Sequence, residues 1–457
     1  MQKLRTDKDE LSPKDILEYI ETYEKETVPK LDMLWDYYLG KNTKILSKRS
    51  IPDNPDNKTP VSYGRKIITT FTGYAYRPRY ITYKSENEAY LGELEATFDE
   101  NNEHIKTSLN GRNTGIFGVS YEMLYIGENR LGQPETKFAV IDPRELILLN
   151  DFSIEPVKNF AIRFYMVNPE LYKVVVYDDN KLTMYDMIRD RNKYSSKLVL
   201  TGTEAHYFGE LPIIAYYLGD EIQGIIEPVI PLIDDYDVLV SDSMVEFDRY
   251  ANSYLKLVKM SIGAEDQRNL KRKRIFEQLP DKDAVSFLTK DIPTAYIEFM
   301  TKLIRDQIHI QSHVPDLGSG SFADGISGVA VDRLMFDFEN VVSNAEAEFD
   351  TGLYDRIRLI TNMYGIMGRT AGTFDEIMIS HKRNKPNNGL EFSQIALNLK
   401  NTGISQYAIV DYMPDDIIPD TDAELEREKE EQDAAMADIE DIPNPDDNPE
   451  EVDNGDR

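Results

Sequence analysis

Four glycines, Gly318, Gly320, Gly325 and Gly328, punctuate the segment PDLGSGSFADGISGVAV, which lies between two long helical patterns. Gly320 and Gly325 have the spacing of the phosphate-cradling loop G-x-x-x-x-G-K-[ST], whose lysine reaches the terminal phosphates. Here Ile326 and Ser327 follow the second glycine, the loop comes after a helix instead of a strand, and Asp324 would repel an anion. A phosphate cradle is therefore a poor reading. The glycines serve better as hinges, because a residue without Cβ adopts backbone conformations closed to others.

Three further groups could do chemistry. His309 and His313 are four residues apart, which on a helix places both imidazoles on one face. Zinc needs at least a third ligand, and Ile310, Gln311 and Ser312 between them do not make a metalloprotease motif. Asp234, Asp235 and Asp237 could hold magnesium in a metal-dependent nucleic-acid enzyme. They fit as well in the first turns of a helix, where negative charge complements the helix dipole. Lys271, Arg272, Lys273 and Arg274 form the densest basic run, either a phosphate contact or a solvated face. No nucleophile elbow or Ser-His-Asp context is present. The reading is of a protein with no catalytic residues, no metal and no cofactor.

Composition bounds this further. The 457 residues contain no cysteine, which excludes disulfides and thiolate chemistry. The net charge is -30; residues 415–457 hold 19 acids and 3 basic residues, leaving 63 and 49 to the rest. A body this acidic is unsuited to tight nonspecific DNA binding, which needs cations to displace counterions, but it does not prevent DNA from passing close by. No apolar run approaches the roughly 18 residues of a membrane span. The N-terminus lacks the apolar core of a signal peptide, so the chain is expected to be soluble and made in the cytoplasm.

The elements that must position these residues follow from periodicity. One helix is expected over 12–40, another over 63–72 and a third over 88–111. Residues 115–217 change to short Val-, Ile- and Tyr-rich segments separated by turns, an antiparallel meander. A helix follows Pro228 and Pro231, with Leu232, Tyr236, Leu239, Ser243, Phe247, Tyr250, Tyr254 and Leu257 on one stripe towards Met260. Residues 261–292 are a charged insert with a strand-like AVSFLT. A returning helix over 294–313 precedes the glycine loop, and a very long helix covers about 329–367. The strand-like FDEIMISHKRN and helices near 389–400, 405–412 and 421–440 complete the chain. The last residues, from 436, are too charged and too poor in apolar groups to order.

In order and spacing these segments resemble the portal proteins of tailed double-stranded-DNA bacteriophages, in the long-tailed siphovirus branch. WDYYLGKNTKIL, VSYGRKIITTFTGYAYRP, FGVSYEMLYIGE, NSYLKLVKM, VSFLTKDI, HVPDLGSGSFADGISGVAVDRLM and ISHKRNKPNN carry the resemblance. It implies an α+β portal fold: a wing of helices and antiparallel strands over 1–227, stem helices over 228–260 and 293–314, and a small α/β clip over 261–292. A tunnel loop over 315–330, a long helix and wing strand over 331–388, and crown helices over 389–435 would follow. The DNA-facing residues would be Leu317, Gly318, Ser319, Gly320, Ser321, Phe322, Ala323, Asp324, Gly325, Ile326, Ser327 and Gly328. The resemblance also implies a ring of about twelve copies, closed by heterologous contacts. Such a ring would sit at one virion vertex and be assembled in the host cytoplasm. Its partners would be DNA in transit, the terminase motor, major capsid and scaffolding proteins and a head-completion adaptor, with no membrane. The very acidic tail extends beyond the recognisable crown.

Overall fold

The computed structural model describes residues 3–48, 56–190, 195–251, 254–257, 285–288, 294–318, 328–369, 372–383, 389–413, 418 and 421–440. The chain divides into two compact units, 1–321 with 334–384, and 322–333 with 385–457.

In the first unit, Ser12 caps helix α1 (Pro13–Glu26), and its hydroxyl and the Asp15 carboxylate bond reciprocally across the first turn. The Lys8 ammonium and the Ser12 groups hold the half-buried Asp15 carboxyl down to about 2. The single helix expected over 12–40 is broken at Thr27, and α2 runs from Val28 to Tyr38. Pro29 explains the break, since it lacks an N–H and its ring clashes with the preceding turn. Short α3 (Thr43–Leu46) and α4 (Tyr63–Ala75) follow. The helix expected over 88–111 is also two, α5 (Glu88–Asn101) and α6 (Glu103–Phe117). Between them Asn102 takes a left-handed φ of 51°, which asparagine tolerates better than most residues. Gly118 ends α6 at φ +80°, where a Cβ would lie 2.5 Å from the Gln223 nitrogen. Only glycine fits there.

The expected meander is present, divided between two sheets. Strands β3 (Val119–Glu128) and β4 (Pro134–Ile141) pair with β10 (Ile213–Tyr217) in the order β10-β3-β4. The larger sheet, β1-β5-β6-β7-β8-β9, contains β1 (Leu4–Arg5), β5 (Leu146–Asn150), β6 (Lys158–Asn168), β7 (Leu171–Tyr177), β8 (Lys181–Asp190) and β9 (Ser195–Ala205). Only β1 runs parallel to its neighbour. Val119, Tyr121, Leu146, Leu148, Ala161 and Ile213 pack into one apolar core shared by the two sheets.

Helix α7 covers Ile230–Ala251, and β11 (Tyr254–Leu257) then pairs antiparallel with β12 (Val285–Leu288). The helix therefore stops short of the expected Met260. Tyr254 and Leu257 suit a helical stripe, but Tyr-Leu-Lys-Leu is also strand-like, and the 285–288 partner decides between them. Helix α8 (Thr294–Ser312) packs back on α7, and α9 spans Gly328–Met367. Its Met335, Phe338, Val342, Phe349, Leu353, Ile357, Ile360 and Tyr364 form a buried stripe at helical spacing. Strand β13 (Met378–His381) pairs with β2 (Ile81–Lys84), nearly three hundred residues earlier. In the second unit, α10 (Gly389–Asn401), α11 (Gln406–Asp411) and α12 (Thr421–Glu440) pack in sequence. No described helix is long and apolar enough to cross a membrane.

Candidate functional site

The α7–α8 pair is held to the body by the aspartates that could have been metal ligands. The Tyr37 hydroxyl donates to Asp234 at 2.5 Å, and the Lys44 ammonium lies 3.3 Å from its other oxygen. Asp237 is fully buried and accepts from the Val61 N–H and the Asn42 amide, both at 2.8 Å. One and three turns on, Ser241 accepts from the Thr59 N–H and Asp248 from the Asn57 amide. Asp235 points away, its side chain 67% exposed. Burial raises the Asp237 carboxyl despite its two donors, and raises the Tyr37 phenol. Protein donors thus occupy the oxygens of Asp234 and Asp237, and no metal-ligating group of three exists among the described residues. The carboxylates bolt one face of α7 to Tyr37, Asn42 and Lys44 and to the 57–61 segment.

At the same end of the pair, where the Tyr63 ring meets both Tyr236 and His309, the expected His309–His313 face does not form. The helix ends at Ser312, and His313 takes a left-handed φ of 57°, reversing the chain. His309 is buried against the Tyr63 ring, and its Nδ1–H donates to the Val314 carbonyl at 2.8 Å. Burial lowers its pKa, favouring the neutral ring. Its Nε2 faces Asp316 at 3.8 Å. Asp316 is tied to Lys66 at 2.6 Å and accepts from the Gly318 N–H at 3.2 Å. Burial pushes this carboxyl up, but Lys66, His309 and the Gly318 N–H together hold the group below its ordinary value.

This clamp fixes the start of the glycine segment. Leu317 and Gly318 follow it exposed, and Gly328 opens α9. Ser319, Gly320, Ser321, Phe322, Ala323, Asp324, Gly325, Ile326 and Ser327 lie outside the described residues, as do Lys271, Arg272, Lys273 and Arg274.

Outside these anchors the α7–α8 pair leaves large apolar side chains in solvent. Phe247 is 59% exposed, and Tyr296, Phe299 and Ile310 are each about 60% exposed, with Met244 and Leu303 alongside. Burying each such side chain is worth roughly 1.5–3 kcal/mol, so a face like this calls for a covering surface.

Two charge clusters that sequence reasoning did not single out lock the long helix in place. Arg356 is wholly buried; its guanidinium makes a two-pronged bond to Glu122 at 2.7 and 2.9 Å and reaches Glu103 at 2.9 Å and Thr107 at 2.8 Å. It also lies over the Phe138 ring at 4.8 Å. Arg383 grips Glu346 at 2.5 and 2.6 Å and Glu339 at 2.7 Å, while His381 meets Asp350 at 2.7 Å. The signal for Arg356 was available: it falls on the apolar stripe of α9, where an arginine must find acids across the core.

Charge in this unit thus anchors helices, and the α7–α8 pair carries exposed apolar side chains. Residues 17–438 match the family model described as "Phage portal protein, SPP1 Gp6-like", and the chain belongs to that family. The portal protein of Bacillus phage SPP1 is 23% identical over 312 residues, covering 65% of this chain and 61% of that protein's length. Two solved structures align with the chain at low identity. "Neck of empty GTA particle computed with C6 symmetry" has a TM-score of 0.44 and 11% identity, covering 83% of this chain and 91% of that one. "Virion of native gene transfer agent (GTA) particle" has a TM-score of 0.45 and 10% identity, covering 86% and 96%.

Proposed function

We propose that this chain is one subunit of a portal ring at a single capsid vertex, conducting double-stranded DNA during packaging and ejection. The observation that carries this is the α7–α8 pair, bolted to the body where α7 begins and α8 ends and carrying large apolar side chains exposed to solvent. A heterologous contact closing into a ring supplies the missing cover. The two helices act as the stem, and the β11–β12 pair begins and ends the clip that meets a head-completion adaptor. The glycine segment 317–328 is the tunnel loop, rooted at Asp316, and the 389–435 helices form the crown.

Family membership supports the assembly role, and the net charge supports passage of DNA without clamping, since an acidic wall offers phosphates few cations. The ring further serves as docking site for the terminase motor and as an assembly partner of capsid and scaffolding proteins. It forms in the host cytoplasm and ends in the virion. The runner-up, a metal-dependent nuclease on Asp234, has its oxygens already taken by Tyr37 and Lys44.

Native mass measurement of the purified chain, mixed with its capsid and scaffolding partners, tests the proposal. Closed rings with a central tunnel are expected. A chain that stays monomeric under those conditions would sink it.

A further inference from the structure

Helix α1 lies on one face of the six-stranded sheet, where Tyr23 meets Phe164. Residues opposite one another on neighbouring strands share a face, so the register maps what lies on the other. There Ala161 and Tyr177 belong to the core shared by the two sheets, with Val175 and Leu182 packed against it. Further along β7, β8 and β9 the same face opens to solvent. Leu171 lies opposite Ile188, Ile188 opposite Lys197, and Asp186 opposite Val199. Ile188 is 49% and Val199 39% exposed. Lys173 and Asp186 bond at 2.6 Å and cancel. Exposed Lys197, and Arg163 over the Tyr165 ring at 4.7 Å, add positive charge to this open part, while Glu204 stands further back, opposite Leu182.

The chain carries a surface of matching chemistry. Helix α5 buries Tyr90, Leu94 and Phe98 and turns Glu88, Glu95 and Asp99 outward, with no basic residue along its length. Between these acids Ala89, Gly92 and Ala96 are exposed, and Gly92 has open space where a Cβ would stand. A helix face without bulk accepts the larger side chains of a sheet, and its carboxylates meet lysine. Within one copy α5 packs on α6 and β4 with this face turned outward, so a second copy must bring it to the sheet.

We propose that the open face of β7 to β9 docks the outward face of α5 from a second copy of this chain. The two surfaces differ, so the contact is heterologous and passes from copy to copy, as a closed ring requires. The sheet face does not suit a second sheet face, since like charges would meet across it. Ile188 and Val199 offer a nucleic acid nothing, although Lys197 would attract one. The inference deepens the ring reading and rests on it.

The chain has no cysteine, so introduced thiols report single positions. Val199→Cys chains and Ala96→Cys chains are mixed in equal parts with the capsid and scaffolding partners and oxidised. A disulfide between the two variants is expected, with little within either variant alone. Lys197→Glu and Glu95→Lys are each expected to raise the concentration for half-assembly about tenfold or more, and one chain carrying both is expected to recover. Unchanged thermal unfolding of the single variants shows that lost assembly is not lost folding. Rings that form without the 199–96 disulfide, or that form equally well in both single variants, overturn this contact and leave the ring reading standing. Protection of Val199→Cys from maleimide by a DNA duplex alone also overturns it. Chains that stay monomeric with all partners present overturn both.

Discussion

Arg356 shows what a single side chain contributes to this fold. A guanidinium with no solvent contact carries a large desolvation cost, which only several well-made bonds can offset. Here Glu122, Glu103 and Thr107 supply them. Removing one partner strands the rest, so Arg356→Ala is expected to cost about 3–5 kcal/mol in urea unfolding of the isolated subunit. His309 makes a subtler contribution. Burial depresses its pKa, so the unfolded chain binds a proton first as pH falls through the ordinary histidine value. Stability contributed at this site is therefore present above about pH 6.5 and falls below it. Asp316 opposes that loss, and Lys66 and Arg305 favour it. His309→Gln is expected to flatten the stability profile between about pH 6.5 and 5, read from urea midpoints across that window.

At the scale of elements, helices end where a residue cannot continue them. Pro29 and Asn102 divide helical patterns whose apolar spacing runs on across the break. Periodicity reads faces well and ends poorly, because an apolar residue keeps its place on the stripe whether or not the backbone bends. The long helix α9 packs so closely that Gly352 touches the Tyr216 ring, where a Cβ would lie 2.5 Å from ring carbon. Gly352→Val is expected to destabilise the subunit by about 1–3 kcal/mol through overpacking, seen as a lower urea midpoint with an unchanged slope. The α7 helix raised a different problem. Tyr254 and Leu257 continue a helical stripe and also suit a strand, and only the partner at 285–288 resolves the choice.

For the whole molecule, the question is what covers the α7–α8 pair. Phe247 and Phe299 lie exposed on facing helices of one hairpin-like unit. Phe247→Asp with Phe299→Asp is expected to leave a folded subunit that fails to close rings, shown by native mass measurement beside an unchanged thermal transition. An unfolded variant would place these rings in the subunit's own packing instead. Surface charge acts at the same scale: with 82 acids against 52 basic residues, the chain offers phosphates net repulsion unless cations are concentrated locally.

The order of elements, the change from helix to meander and back, and the family resemblance were all legible in the chain. They depend on local periodicity and on the succession of segments, which sequence records directly. The glycine segment failed as a phosphate cradle on its own residues, with no structure required. What Asp234 and Asp237 do was not legible. Three nearby aspartates look alike as metal ligands or helix-end charges until Tyr37, Asn42 and Val61 arrive from elsewhere in the chain. The same holds for Arg356 with Glu122 and for β2 with β13, partners hundreds of residues apart. A side chain's type limits the bonds it can make, but only folding over long separations decides which of them it makes.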